Sequence, residues 1–234
     1  MAHIFFAGVD KPVSKPEDVI PFLGRGERHW KVGRSAYELA YSWMSAQGVP
    51  KDVRAILDTD DATAKAELRR ATFEKKTDLD KTGRGPSQTD LLAQLMTTSG
   101  STILGVEGKV DETFGPLVSE WIEYSPGKLR RLAGLIELLR LNSAAVTALR
   151  YQLLHRTAAV LIEANEQSAR HAIMLVQSFS PSHIRAGFND FQNFSNALGT
   201  PVSEPGRLSA PGMFGDVQLR LGWCESLLHT AGTA

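Results

Sequence analysis

Residues 89–110 constrain the fold more than any other stretch. "TDLLAQLMT" and "TILGVEGKV" are two apolar runs of strand length, separated by the Gly-containing turn "TSGS". Runs joined this closely pair as an antiparallel hairpin. Side chains alternate faces along a strand. Leu104, Val106 and Val110 therefore share one face with Gly108, while Ile103, Glu107 and Lys109 share the other with Gly105. One face reads as core. The other carries a carboxylate beside an ammonium, on a strand that is otherwise apolar.

A same-face Glu–Lys pair on a half-exposed strand is, taken alone, a solvated ion pair that contributes about 0–1 kcal/mol. Its company changes the reading. The hairpin brings the start of its first strand to the end of its second, which carries Asp90 toward Glu107 and Lys109. Two converging carboxylates are hard oxygen ligands suited to Mg²⁺ or Mn²⁺. A lysine beside them can orient or deprotonate water, or offset charge developing on a phosphate. The combination points to metal-assisted cleavage of a phosphodiester.

The flanking sequence supplies helices and further strands. "GRSAYELAYSWMSAQG" (33–48) predicts a helix with Ser35 as N-cap, Glu38 completing a capping box and Gly48 as the stop. Residues 69–77 predict a strand, and "KTGRGPSQ" a break before the hairpin. "FGPLVSEWI" predicts a helix with Pro116 in its first turn, and "GKLRRLAGLIELLRL" predicts another. The longest expected helix is 143–167. "RHAIMLVQSFS" reads as a buried strand, 180–199 as an amphipathic helix closed by Gly199, and 216–225 as a last strand. With no internal repeat and no evident linker, one mixed α/β domain accounts for the 234 residues.

Composition narrows the function classes. Formal net charge is zero, so no global basic field advertises non-specific nucleic-acid binding. The one cysteine, Cys224, excludes an intramolecular disulfide and a Cys-based metal cluster, and fits a reducing cytoplasm. "MAHIFFAGVDKPV" does not read as a signal peptide, and no stretch has the ~18 apolar residues of a membrane span.

Several polar groups admit two readings. Gln152, His155 and Arg156 are helical neighbours. They form either a patch facing the active site or, the commoner case, a satisfied polar network. "KLRR" at 128–131 is either a phosphate contact or the solvated first turn of a helix. Glu38 is either a capping residue or a metal ligand. Glu112 is solvated or supports the site. Trp30, Tyr37 and Trp43 read as core or core edge, and Cys224 as a small buried hydrophobe. Phe188, Phe191 and Phe194 offer either core or a homodimer face.

"SQTDLLAQLMTTSGSTILGVEGKVDETFG" resembles the D…(D/E)-x-K hairpin of the PD-(D/E)XK nuclease superfamily, although Pro86 lies four residues before Asp90 rather than next to it. "HWKVGRSAYELAYSW", "VEGKVDETFGP" and "LRYQLLHRTAAVLIEA" resemble a bacterial domain family with no assigned function. The first two are also similar to restriction-endonuclease-like proteins of the E-x-K-x-x-E-x-F-G type. The resemblance spans roughly residues 20–200. It implies an α/β fold with a restriction-endonuclease-like core, a central mixed sheet flanked by helices, with N- and C-terminal extensions. It also implies a Mg²⁺-dependent (or Mn²⁺-dependent) nuclease acting on DNA. In that enzyme Asp90 and Glu107 hold the metal, Lys109 acts on the water, and Glu38 is a further ligand. A non-catalytic descendant of the same fold, binding a partner, is the alternative; an enzyme acting on another phosphoester is a third reading.

Overall fold

A computed structural model of the protein describes residues 4–24, 26–82, 85–123, 125–179 and 185–229. Its strands form one mixed sheet with helices on both faces. In chain order the elements are β1 (Phe5–Ala7), β2 (Lys11–Pro12), α1 (Ser35–Ala46), α2 (Lys51–Leu57), β3 (Glu67–Thr77), β4 (Ser87–Thr97) and β5 (Gly100–Lys109). They continue with α3 (Val118–Trp121), α4 (Pro126–Leu139), α5 (Tyr151–Glu166), β6 (His171–Ser178), α6 (Arg185–Ala197), β7 (Gly212–Phe214) and β8 (Val217–Glu225). The eight strands lie in the order β2-β1-β3-β4-β5-β6-β8-β7. β3, β4 and β5 run antiparallel to one another, whereas β5, β6 and β8 are parallel neighbours.

Alternation along the central strands sorts two cores. Ile103, Ala172, Met174 and Val176 face α4, α5 and α6, while Leu104, Val106, Ile173 and Leu175 face α1 and α2. β6 is buried on both faces, as its run "AIMLV" requires of a strand between two parallel neighbours. Phe191 and Phe194 are fully buried, and Phe188 stacks edge-on against Trp223 at 5.3 Å. The three phenylalanines that suggested a homodimer face thus belong to the core. Cys224 is buried. Among the described residues, no helix is long and apolar enough to cross a membrane.

The elements depart from the sequence expectations where tertiary partners capture the backbone. The helix expected over 143–167 begins only at Tyr151, preceded by a 3-10 turn at Val146–Ala148. The Leu149 carbonyl accepts Val118 N–H, and Tyr151 N–H donates to the Pro116 carbonyl. Residues 149–150 are therefore held extended. The same pairing keeps Pro116 outside α3 and leaves that helix four residues long. In α1, Arg34 is the N-cap and Gln47, with φ +49°, is the left-handed stop, in place of Ser35 and Gly48. Of the helix expected over 180–199, residues 180–184 lie outside the described residues.

Candidate functional site

The site forms where β3 and β4 lose regular alternation beneath α5, beside a β5 that keeps it. Leu92 lies in the α5-side core, and Gln94 Nε2 donates to Gln167 Oε1 at 2.7 Å. Ser87, of opposite parity, faces α5 as well, with its Oγ 2.9 Å from His155 Nδ1. β3 shows the same slip. Thr72 lies beside Leu92 and Gln94, yet Thr77 Oγ1 donates to Glu163 of α5 at 2.6 Å. The phase changes between the pairs Phe73↔Leu91 and Lys75↔Thr89, at Glu74 and Asp90. Glu74 has φ +54°. A non-glycine residue held in that region costs about 1–3 kcal/mol and persists only where its surroundings impose it. Such interruptions re-aim side chains, and here they re-aim two acids.

Asp90 then departs from the ladder. β4–β5 pairing ends at Leu91↔Val106, and beyond it Gly108 N–H donates to Asp90 Oδ2 at 2.9 Å. Glu107 lies alongside and is enclosed. Its Oε1 accepts from Gln152 Nε2 at 2.6 Å and pairs with Lys109 Nζ at 3.0 Å, while its Oε2 accepts from Arg156 Nε at 2.5 Å. Arg156 bridges the two acids: its NH2 lies 3.5 Å from Asp90 Oδ1, and its NH1 donates to Ser87 Oγ at 3.2 Å. Lys109 also donates to Gln152 Oε1 at 3.1 Å and sits 4.9 Å from the Phe114 ring centre. Side-chain exposure is 3% for Glu107, 9% for Lys109 and 10% for Arg156, but 22% for Asp90. Asp90 is thus the open edge of the cluster.

α5 reaches this depth because Gly105 lacks a side chain. A Cβ there would lie 2.2 Å from Val160 Cγ2. On the other face, a Cβ at Gly108 would lie 3.4 Å from the Ser35 carbonyl of α1. The strand is therefore covered on both faces, and the alternative of a solvated ion pair on a half-exposed strand does not hold.

The charges are unevenly settled. For Glu107, burial favours the neutral acid, but Arg156 and Lys109 outweigh it and hold the carboxyl down at about 2. Asp90 is pushed up to about 7 by burial and by the Glu107 charge, against the pull of Arg156 and Lys109. Glu74 is pushed up to about 8 by burial and then by Asp90. Three acids thus face two cations, and protons compensate part of the excess. His155 is pushed down to about 3 by burial and by Arg156, so its ring is neutral.

Of the residues singled out from sequence, Asp90, Glu107 and Lys109 come together. Glu38 does not join them. It is fully buried on α1, where Oε1 accepts Gly33 N–H at 2.7 Å and Oε2 accepts His229 N–H at 2.6 Å. It anchors the start of its helix to the chain's C-terminal segment. Glu112 accepts Ser35 Oγ at 3.0 Å and Val110 N–H at 2.7 Å, tying the end of β5 to α1. Gln152 and Arg156 do face the acids; their i, i+4 spacing was the available signal. Glu74 gave none, because only its backbone conformation brings it near.

A Mg²⁺ ion keeps several waters and takes one or two carboxylates together with substrate phosphate. Asp90 and Glu107 could supply two carboxylates, but both Glu107 oxygens already accept from Gln152, Lys109 and Arg156, so an ion there would displace one of these donors. Among the described residues no group of three His, Cys, Asp or Glu side chains has the spacing of a closed metal site. Any ion here would therefore need water or substrate oxygens to complete its shell.

Sheet and cluster define a three-layer α/β protein with an acidic and basic network buried under α5. The chain belongs to the family described as Domain of unknown function (DUF6946), whose model matches residues 12–227. No curated protein and no solved structure matches it.

Proposed function

We propose that this chain is a metal-dependent nuclease that hydrolyses DNA phosphodiester bonds on a restriction-endonuclease-like core. The observation that carries the reading is the meeting of Asp90 with Glu107 and Lys109 on adjacent antiparallel strands beneath α5. The element order supports it: α1, the three-stranded meander β3–β5, then α5 and the parallel strand β6. Asp90 and Glu107 would hold Mg²⁺ or Mn²⁺. When bound, such an ion polarises a phosphoryl oxygen and acidifies a water. Lys109, fixed by Glu107 and Gln152, presents its ammonium beside the carboxylates to steady a water or a developing phosphate charge. Arg156 lies next to Asp90, the more open of the two acids, where its guanidinium can turn from Asp90 to a phosphate oxygen, a bidentate match that lysine does not offer.

The test is incubation of single- and double-stranded DNA with Mg²⁺ or Mn²⁺, comparing wild type with Asp90→Asn and Lys109→Met, with circular dichroism confirming that the variants fold. Loss of cutting in both folded variants is the expected result. Undiminished cutting in either overturns the assignment. One observation favours the alternative of a non-catalytic module, namely that Arg156 already fills the position between the two acids. On that reading wild type neither cuts DNA nor takes up Mn²⁺ in a calorimetric titration.

A further inference from the structure

A cleft of about 930 Å³ opens beside the acidic cluster, between the first turns of α4, the start of α5 and the start of β4. This volume is at the upper end of the ~300–1,000 Å³ typical of small-ligand sites. Two features of the lining stand together. One is an aromatic stack: Trp121 and Tyr151 lie 3.6 Å apart at 10°, with His155 at 5.0 Å from Tyr151. The other is charge. Lys128, Arg130 and Arg131 line the cleft, against Asp80 as the one carboxylate of its lining among the described residues. Asp80 is held by Arg131 at 3.0 Å, and Lys128 is held by Glu123 at 2.8 Å and lies 5.4 Å from the Trp121 ring centre. Arg130 is exposed. This is the "KLRR" stretch of the sequence, and it faces a cavity.

We propose that this cleft binds an unpaired nucleotide of a DNA strand, with its base against the Trp121–Tyr151 stack and its phosphate against Arg130 and Lys128. Flat aromatic surfaces and cations in one groove match the two faces of a nucleotide, its π plane and its phosphate. A base inside a duplex has both faces covered by neighbouring bases, so an aromatic stack selects a single strand, a frayed end or an extruded base. The cleft borders the proposed catalytic centre. Ser87 and His155 belong to its lining, and Ser87 Oγ accepts Arg156 NH1, the same guanidinium that pairs with Glu107. A strand seated here delivers its neighbouring phosphate toward Asp90. The proposal rests on the nuclease reading for its choice of ligand, but its test does not require cleavage.

A 5′-fluorescein-labelled deoxythymidine decamer is titrated with the protein in EDTA, so that no cutting occurs, and anisotropy is followed across a salt series. Wild type should bind, with quenching of tryptophan fluorescence. Trp121→Ala should weaken binding roughly tenfold, in line with the loss of one stacked base, and Trp121→Phe should restore most of it. Arg130→Ala should weaken binding and flatten the salt dependence by about one phosphate contact. Failure of wild type to bind the decamer, unchanged binding by folded Trp121→Ala, or equal affinity for a blunt duplex overturns the proposal. If wild type cuts DNA with Mn²⁺ yet does not bind the decamer, this inference falls and the nuclease reading stands. If binding depends on Trp121 and no divalent ion supports cutting, the reverse holds.

Discussion

The seat of α5 on β5 can be tested at one atom. Gly105→Ala adds a methyl 2.2 Å from Val160 Cγ2 and 3.6 Å from Thr89 Cγ2. Carbon atoms settle at about 3.5–4.0 Å, so roughly 1.5 Å must be found. Val160 is 1% exposed and β-branched, and has little rotamer freedom to give. The helix or the strand must therefore shift, at an overpacking cost of about 1–3 kcal/mol. Val160→Ala alone removes two methyl groups, which costs about 2 kcal/mol in lost burial and residual cavity. In the double variant the new methyl fills the vacated space. Its loss should fall short of the summed single losses by more than about 1 kcal/mol. Urea unfolding followed by circular dichroism measures all three variants. Single losses that add to within about 0.5 kcal/mol would refute the close approach. The same shift would pull Gln152 and Arg156 away from Glu107, because both ride on α5. Gly105→Ala should therefore also lose DNA cutting, and the double variant should recover it.

Arg156→Met leaves a buried Glu107 without its strongest partner and should cost about 3–5 kcal/mol in urea unfolding. Adding Glu107→Gln should return part of that stability; no recovery would mean that the pair is not coupled. Glu74 sets a pH dependence. Its folded-state value is raised, so between about pH 4.5 and pH 8 the folded chain keeps a proton that the unfolded chain has released. Wild-type stability should fall as pH rises through that window, and Glu74→Gln should flatten the fall; identical profiles would contradict the assignment. Glu38→Ala orphans two backbone N–H groups and should destabilise by about 1–3 kcal/mol while leaving Mn²⁺ titration unchanged. Loss of Mn²⁺ binding in the folded variant would instead return Glu38 to the metal site.

Elements whose signals are local could be read from the chain. The β4–β5 hairpin followed from two apolar runs around a glycine turn, and its alternation put Glu107 and Lys109 on one face. Asp90 followed from hairpin geometry. Helix α4 and strands β6 and β8 also lie close to where their periodicity placed them. The rest depends on long-range contacts that no local pattern encodes. Residues 149–150 are extended because residues 116–118 supply their backbone partners. Glu38 is fixed by the amide of His229, 191 residues away. Glu74 joins the acids only through a left-handed backbone that interrupts its strand's alternation. Gln152 and Arg156 were visible as helical neighbours, but which way their face points depends on how closely α5 approaches the sheet. A missing side chain at Gly105 permits that approach. Asp90, Glu107 and Lys109 could be named from the chain; the Arg156 guanidinium between the acids, and the cleft beside it, exist only once the helix has docked.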